Sequence, residues 1–221
     1  RYELGTILVV NPNTGDELGT IDLSGVDTTD GIPEMDSMVR VGNKVFVTVQ
    51  RLDRNNYWSA SGPGLVVVID TETDEIIDVD PSTDTTDFIT LRGYNPSVIS
   101  YSELYGKIFI SCAGDYFDAS VTGGIDTVDP DSYATAHLID KADLAGSEGD
   151  TVNPGEILVI SATKGYAVVS INWSTTVLVA FDPSGQSSPE TIYQPGGYIN
   201  TLSVDPYGYL LVPERNTSNP G

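Results

Sequence analysis

Apolar and polar residues alternate in short stretches along the whole chain, and clusters of Gly, Pro, Asn, Asp and Ser separate these stretches. Alternation over about four to eight positions, with many β-branched side chains, is typical of β-strands. Residues 44–50 (KVFVTVQ) and 107–112 (KIFISC) are clear examples. Since no stretch shows the period of an amphipathic helix, the pattern predicts an all-β fold.

One phrase recurs along the chain: an apolar run that ends in Asn or Asp and is followed by a turn. Its Asx residues are Asn11, Asp70, Asp129 and Asp182, at intervals of roughly 50 to 60 residues. A repeat of this length indicates a supersecondary unit that is used several times. Each unit reads as four consecutive antiparallel strands, which we call a to d, and the Asx phrase forms the turn between c and d.

Four-stranded units repeated at this interval predict a β-propeller built from four-stranded antiparallel blades. A β-sandwich is the main alternative, but it gives no reason for the same turn to recur at nearly fixed intervals. We expect residues 1–221 to form one propeller domain or propeller segment with four blade equivalents. The blade parts are predicted at residues 1–24, 36–80, 97–140, 155–194 and 198–213.

The two ends of the chain each carry half a blade, with strands c and d at the start and strands a and b at the end. If the ends pair, the result is a closed four-bladed ring. If they do not, the chain is an arc from a larger propeller of about seven blades. Hydrogen bonding between the strands near Leu8 and Leu210 distinguishes the two. Because Arg1 is not an initiator Met, we expect a processed or excised chain.

The repeat resembles a known group of propellers. Residues 68–76 (VIDTETDEI), preceded by a strand such as residues 44–48 (KVFVT) and by a hairpin glycine, resemble the YVTN type of repeat. Such repeats are similar to those of bacterial surface-layer and quinoprotein-amine-dehydrogenase-like propellers. The resemblance implies a propeller fold and leaves the ligand undefined. Propellers of this type usually have about seven blades, a pattern from which this chain departs.

Charge narrows the range of partners. The chain has 32 acidic and 10 basic residues and a formal net charge of -22, so nucleic acid and anionic membrane surfaces are repelled. We also expect no membrane insertion, because no apolar run is long enough. Scarce lysine and a single cysteine, Cys112, suggest a secreted, periplasmic or cell-surface protein of a bacterium or archaeon. Cys112 lies in a predicted strand and is expected to be a small buried hydrophobe.

In a propeller the b-to-c and d-to-a connections emerge on one face, and long loops on a rigid scaffold commonly carry function. The long connections are predicted at residues 24–35, 51–64, 80–96, 113–124 and 140–154. Aromatic rings beside Arg and Asp suit a protein or glycan ligand, because flat rings supply contact area and polar groups set orientation. Alternatively, the rings only pack their own loops. The expected ligand-binding residues are Arg51, Arg54, Tyr57, Trp58, Asp115, Tyr116, Phe117, Asp118, Trp173 and Arg215.

No organic cofactor is expected, and calcium is the one ion that the acidic loops suggest. Calcium needs several converging oxygen ligands, and no acidic stretch fits the spacing of an EF-hand. Solvated carboxylates are therefore the alternative interpretation. The weak calcium candidates are Asp27, Asp30, Asp80, Asp84 and Asp87, and further loop carboxylates are Glu34, Asp36, Asp78, Asp143, Glu148 and Asp150.

Catalytic groups are few. His137 is the single histidine and lies in a predicted d strand, which argues against a Ser-His-Asp triad and a His-ligated zinc site. Asn95, Asn153 and Asn200 lie at predicted a strands, nearest the propeller axis, and are candidate ion ligands. Asn95 and Asn153 precede prolines, so ordinary turn formation is the alternative for these two.

These observations give three functional hypotheses. The first is a non-enzymatic extracellular or cell-surface propeller that binds a protein or glycan through its long-loop face. The second is a calcium-dependent lactonase or esterase, which some propellers support with oxygen ligands around a central ion. The third is a structural subunit of a larger surface assembly, joined to other chains through exposed blade edges.

Overall fold

The computed structural model describes residues 4–147 and 149–215. Within these residues the chain forms a series of antiparallel sheets, and most neighbouring strands in a sheet are also neighbours in sequence. The strands of the first half are β1 (Thr6–Val10), β2 (Glu17–Asp22), β3 (Met35–Val41), β4 (Lys44–Val49), β5 (Leu52–Asp53), β6 (Ser59–Ala60), β7 (Pro63–Asp70), β8 (Ile76–Ile77) and β9 (Ile89–Tyr94). The strands of the second half are β10 (Pro96–Ser102), β11 (Lys107–Cys112), β12 (Gly124–Val128), β13 (Thr135–Asp140), β14 (Val152–Ser161), β15 (Lys164–Ile171), β16 (Thr175–Phe181), β17 (Glu190–Tyr193), β18 (Tyr198–Ile199), β19 (Ser203–Val204), β20 (Leu210–Leu211) and β21 (Glu214–Arg215).

The strands group into blade-like sheets. Sheet I contains β1 and β2, and sheet II contains β3, β4, β7 and β8, with β9 also paired to β7. Sheet III runs β10 to β13 and sheet IV runs β14 to β17, each in sequence order. The terminal hairpins pair β18 with β21 and β19 with β20. The first strands of sheets II, III and IV contact one another, β3 with β10 and β10 with β14. Four-stranded antiparallel sheets in series are the blades of a β-propeller, so the predicted fold class is confirmed.

The predicted Asx phrase forms the turn between the third and fourth strands. In each copy the side-chain oxygen accepts a hydrogen bond from the backbone N–H two residues later. The distances are 2.9 Å at Asn11, 2.7 Å at Asp70, 3.1 Å at Asp129 and 2.8 Å at Asp182. This local bond fixes the turn without help from the rest of the molecule, which is why the sequence identifies it so clearly.

The core lies between neighbouring sheets. Phe46 of sheet II packs with Ile108 and Val128 of sheet III, and Phe109 of sheet III packs with Val179 of sheet IV. All five side chains are at most 1% exposed. The central strands therefore have a blade on each face, and they read as nearly continuous apolar runs rather than as strict alternation.

Two stretches differ from the prediction. Residues 80–96 were expected to be a loop, yet they contain β9, which pairs with the start of β7 while β8 pairs with its end. The fourth strand of sheet II is thus interrupted by the excursion at residues 78–88. The predicted strand at residues 199–204 is instead two short strands, β18 and β19, which pair with different partners. The connection at residues 140–154 also contains a four-residue helix, α1 (Lys141–Leu144).

The pairing that a closed four-bladed ring requires is not found in the described residues. There β1 pairs with β2, and β20 pairs with β19. Among the described residues the sheets therefore form an open series, which favours the arc over the closed four-bladed ring. Both end sheets leave apolar side chains exposed, Leu8 in sheet I and Tyr209 and Leu211 in the terminal hairpins.

Cys112 is fully buried in β11, as predicted. Burial raises the pKa of its thiol well above the usual range, and the nearby Asp126 adds to the shift. None of the described helices is both long and apolar enough to cross a membrane.

Candidate functional site

Equivalent positions at the start of sheets II, III and IV carry buried polar side chains. The backbone of Glu34 pairs with that of Gln50, Asn95 pairs with Ala113, and Asn153 lies opposite Ser170. Among the described residues, Oε1 of Glu34 and both amide atoms of Asn95 and Asn153 are buried without a hydrogen-bond partner. Unsatisfied buried polar atoms are costly, so these positions mark the loop end of the blades as the place to look for function.

A short hairpin after β4 presents two of the predicted aromatic residues. Strands β5 and β6 enclose a single 3₁₀ turn, Arg54–Asn56, which Asp53 caps by accepting a hydrogen bond from the Asn55 N–H at 2.9 Å. Tyr57 and Trp58 follow with φ of 55° and 64°, in the left-handed region that bulky residues seldom adopt. The Trp58 N–H returns to the Asp53 carbonyl at 2.9 Å. The hairpin therefore holds strained backbone at the point where the rings emerge.

The connection between β11 and β12 presents the other two rings, and Asp115 holds it to the hairpin. One carboxylate oxygen accepts from the Ala60 N–H at 2.7 Å, and the other accepts from Phe117 N–H at 2.7 Å and Asp118 N–H at 3.1 Å. Asp115 is only 5% exposed. This predicted ligand contact therefore joins the two loops and faces inward.

The two loops enclose an aromatic cleft of about 470 Å³, which is lined by Gln50, Leu52, Tyr57, Trp58, Tyr116 and Phe117. Tyr57 and Phe117 remain 82% and 74% exposed, so their faces are available to a ligand. The ring of Tyr116 also contacts Trp173, with centroids 5.1 Å apart. At the base of the aromatic cleft Gln50 is buried, and among the described residues its Oε1 has no hydrogen-bond partner. An apolar cleft with a single unsatisfied acceptor fits a ligand that combines flat apolar faces with hydroxyl or amide donors.

Arginines and carboxylates form an ionic cluster beside the aromatic cleft. Arg51 Nε lies 3.9 Å from Asp27 Oδ2, and Arg54 Nε lies 3.2 Å from Asp30 Oδ2 and 3.9 Å from Glu34 Oε1. The Arg54 guanidinium also lies 5.9 Å from the centre of the Trp58 ring. The cluster thus connects the charged loop at residues 24–34 to the aromatic hairpin.

Burial and charge affect two of these carboxylates in opposite directions. Burial raises the pKa of Glu34, and the neighbouring Asp30 and Asp27 add to the shift, although Oε2 accepts a hydrogen bond from the Leu52 N–H at 3.0 Å. Burial also acts to raise the pKa of Asp30, but hydrogen bonds from the backbone of Arg54 and Ile32 and from the Arg54 guanidinium lower it overall. Of these two carboxylates, Glu34 therefore binds a proton more readily than Asp30.

The remaining predicted ligand residues lie outside the aromatic cleft lining. Trp173 is exposed, and its ring contacts the ring of Tyr116, which lines the cleft. Asp118 accepts hydrogen bonds from Ser120, which lower its pKa. Arg215 lies on β21 opposite Tyr198.

The calcium candidates separate into two groups. Asp27 and Asp30 belong to the ionic cluster, where guanidinium groups already provide the positive charge. Asp80, Asp84 and Asp87 lie in the excursion at residues 78–88, where Asp80 accepts hydrogen bonds from Ser82 and Asp87 bonds to the Thr83 hydroxyl. Among the described residues no three His, Cys, Asp or Glu side chains come together in a way that could hold a metal ion. Glu148 lies outside the described residues.

Sequence reasoning missed Gln50, Leu52 and the buried role of Glu34. Gln50 and Leu52 flank the end of β4, where a strand becomes a loop, and their types alone signal nothing. A usable signal is the alignment of the repeats, because Glu34, Asn95 and Asn153 each occupy the position directly before the residue that begins the bulged part of the first strand.

No family model matches the sequence, and no curated protein matches it. Solved structures that resemble the chain include a protein assigned as an exo-β-1,3-galactanase from Bifidobacterium bifidum S17, with 12% identity and a TM-score of 0.46 over 90% of this chain and 61% of that one. Another is an exo-β-1,3-galactanase from Phanerochaete chrysosporium, determined with β-1,3-galactotriose, with 8% identity and a TM-score of 0.48 over 97% of this chain and 48% of that one. The chain spans less than two thirds of either protein. At these values the likeness assigns neither a family nor an activity, and the resemblance to the YVTN type stays a prediction.

Proposed function

We propose that the protein binds a neutral glycan chain through the aromatic cleft. The observation that supports this proposal is the convergence of Tyr57, Trp58, Tyr116 and Phe117 from two separate loops around one cleft of about 470 Å³. Four rings around a single cleft exceed what is needed to pack two surface loops. The alternative in which the rings only cover their own loops also leaves the high exposure of Tyr57 and Phe117 unexplained.

The chemistry of the aromatic cleft matches both the apolar faces and the polar hydroxyl groups of a pyranose ring. The C–H faces of a sugar stack on aromatic rings, which supply large contact areas at a low cost in side-chain entropy. The buried Oε1 of Gln50 would accept a hydrogen bond from a sugar hydroxyl. With a net charge of -22, the protein repels anionic polysaccharides, so a neutral glycan is favoured.

The site is also built to be rigid before a ligand arrives. Asp115 bonds to both loops, and the rings of Tyr57 and Trp58 emerge from backbone held in the left-handed region. A preorganised site loses less entropy on binding than a mobile one. In line with the sequence-based expectation, we propose a secreted or cell-surface location, where free glycans are met.

Calorimetry against neutral oligosaccharides tests this proposal. The panel would contain cello-, xylo-, manno- and β-1,3-galacto-oligosaccharides, the last with β-1,3-galactotriose. We expect one or more to bind, with a change in the fluorescence of Trp58, and we expect Trp58→Ala to weaken binding by at least about 10-fold. Tyr207→Ala is the matched control, because Tyr207 is 86% exposed and lies outside the aromatic cleft. Unchanged glycan binding after joint replacement of Tyr57, Trp58 and Tyr116 by Ala would overturn the proposal, as would binding of a protein in place of every glycan.

A second candidate is the calcium-dependent lactonase or esterase. It is favoured by Glu34, a fully buried carboxylate whose pKa is raised, beside Asp27 and Asp30. Such a group could serve as a general acid. A calcium ion at this cluster would have to displace Arg51 and Arg54 from the carboxylates that they now face. Calcium titration by calorimetry tests ion binding, and lactone and ester turnover by the parent and by Glu34→Gln tests catalysis. Absence of both binding and turnover excludes this candidate.

The third candidate, a structural subunit, rests on the apolar side chains left exposed in sheet I and the terminal hairpins. Sedimentation would show concentration-dependent association if these edges join other copies. A stable monomer at all concentrations would count against self-assembly.

A further inference from the structure

A second, polar cavity lies between sheet IV and the terminal hairpins. Its volume is about 220 Å³, and its polar lining consists of Asn153, Glu156, Ser170, Thr176, Tyr198 and Asn200. It shares no lining residue with the aromatic cleft. An inference about this polar cavity therefore stands or falls independently of the proposed function.

Three side-chain atoms of the polar cavity are buried without a partner in the described chain. They are Nδ2 and Oδ1 of Asn153 and the hydroxyl of Thr176. Thr176 is only 6% exposed, so its hydroxyl has lost bulk water without gaining a protein partner. Since buried polar groups in native proteins are nearly always hydrogen-bonded, three such atoms around one cavity indicate a partner from outside the chain.

Sheet IV differs from sheets II and III at the bulge of its first strand, which borders the polar cavity. In sheets II and III the β-bulge of the first strand is occupied by a hydroxyl of the neighbouring strand: Thr48 bonds to the Ser37 N–H at 3.0 Å, and Ser111 bonds to the Val98 N–H at 3.1 Å. In sheet IV the residue opposite the bulge is Val168, which has no hydroxyl. The bulge itself contains Gly155 and Glu156, both of which line the polar cavity. Bulges commonly redirect a side chain toward a site.

The unpaired atoms define the chemistry of the ligand. A metal ion would use Oδ1 of Asn153 and the Thr176 oxygen but would leave the Nδ2 donor unsatisfied. An anion would meet Glu156 and the negative field of the whole chain. Neutral hydroxyl groups both donate and accept, so they can satisfy all three atoms. Burial raises the pKa of Glu156. A carboxyl group that binds a proton more readily is compatible with neutral hydroxyl groups of a ligand beside it.

Size and shape restrict the ligand further. At about 30 Å³ per water molecule, 220 Å³ corresponds to about seven waters, which is room for one sugar ring. Tyr198 is 45% exposed and provides a flat aromatic face in the lining. We propose that the polar cavity is a binding site for a single neutral sugar ring or a cyclic polyol of the same size, hydrogen-bonded by Asn153 and Thr176.

The test uses the whole chain and a panel of D-galactose, D-glucose, D-mannose and myo-inositol at millimolar concentration, measured by calorimetry and saturation-transfer NMR. We expect at least one to bind. Thr176→Val, which keeps the side-chain shape and removes the hydroxyl, is expected to weaken binding by at least about 10-fold, and Asn153→Ala is expected to do the same. Thr191→Val is the matched control, since Thr191 lies exposed on β17.

Thermal unfolding without ligand provides a second readout. Removing an unpaired buried hydroxyl should leave the melting temperature of Thr176→Val equal to or above that of the parent. A lowered melting temperature with correct folding would show that the hydroxyl has a partner within the protein, which contradicts the proposal. Absence of binding by all four compounds would show that the polar cavity holds only water, and calcium binding lost in Asn153→Ala would show an ion site; either result overturns the proposal.

The two sites are separated by crossed variants. Thr176→Val should retain oligosaccharide binding at the aromatic cleft, and the triple replacement of Tyr57, Trp58 and Tyr116 should retain monosaccharide binding. If the triple replacement abolishes monosaccharide binding, the sugar sits in the aromatic cleft and the polar cavity proposal is wrong, while the proposed function survives.

Discussion

Asp126 is a fully buried carboxylate that bonds to a neighbouring blade, and its removal gives the sharpest stability prediction. The residue lies in β12 of sheet III with no exposed surface. One carboxylate oxygen accepts from the backbone N–H groups of Arg92 at 2.9 Å and Gly93 at 2.8 Å, and the other lies 2.5 Å from Nδ1 of His137. Because Arg92 and Gly93 belong to β9 of sheet II, the carboxylate joins two neighbouring blades.

The expected cost follows from the groups that lose their partner. Asp126→Ala leaves two backbone N–H groups without an acceptor, at about 1–3 kcal/mol each, and removes the contact to His137. Because two buried donors lose their acceptor together, we expect a total cost of about 3–5 kcal/mol. A domain of this kind is stable by only about 5–15 kcal/mol, so the variant should lie close to unfolding. Asp126→Asn keeps an acceptor oxygen and should cost about 1–2 kcal/mol.

Urea unfolding followed by tryptophan fluorescence and circular dichroism measures these differences at constant m-value. Asp131→Ala serves as the control, because this exposed acid of the same sheet should change stability by no more than about 0.5 kcal/mol. If Asp126→Ala unfolds within about 0.5 kcal/mol of the parent, the carboxylate does not join the two blades and the reasoning is refuted.

Three further variants test the site and the scaffold. Asp115→Ala should lower stability by about 2–3 kcal/mol and abolish glycan binding, because it releases the Ala60 and Phe117 N–H groups; unchanged binding by calorimetry would show that the two loops hold their positions without it. Glu34→Gln should stabilise the protein at neutral pH, and the gain should vanish in acid. Because the pKa of Glu34 is raised in the folded state, its ionisation costs stability as the pH rises above the unfolded value of about 4.5. Unfolding curves that show an equal gain at all pH values would contradict the raised pKa of Glu34. Asp70→Ala removes the Asx turn and should lower the free energy of unfolding in urea by about 1 kcal/mol, with glycan binding intact. A loss of binding would place the binding site at the end of the blades that carries the Asx turns.

The parts of the fold that the sequence predicts well are those fixed by local bonds. The Asx turn at Asp70 needs only its own side chain and the next residues, and strands such as β11 show a clear apolar pattern. Strand β9 escaped prediction because its partner, β7, is already paired with β8 in the immediate sequence. Its position depends on Asp126, which is 33 residues away from Gly93. Whether the sheets close into a ring or stay open depends on how several sheets curve together, and no local sequence pattern determines this.

The candidate site shows the same division. Long loops with aromatic residues could be recognised, so Tyr57, Trp58, Tyr116 and Phe117 were predicted as a group. Their meeting in one cleft depends on the bond from Asp115 to Ala60, which spans 55 residues and could not be read from the sequence. The polar cavity lies where Val168 takes the place of a hydroxyl-bearing residue of the other sheets. This difference is visible only when the registers of the sheets are compared.

The two ends of the blades differ in how strictly they keep the repeat. At the hairpin end every copy keeps the same Asx bond, because a turn that closes two strands tolerates few alternatives. At the loop end, equivalent backbone pairs hold Glu34 with Gln50, Asn95 with Ala113, and Asn153 with Ser170. These side chains differ in charge, size and hydrogen-bonding capacity while the backbone pairing stays the same. A position that keeps its backbone pairing but changes its side chain from blade to blade does not depend on one side chain for folding, so its chemistry is available for binding. Among the described residues, both the aromatic cleft, through Gln50, and the polar cavity, through Asn153, contain an amide oxygen from this set that has no hydrogen-bond partner.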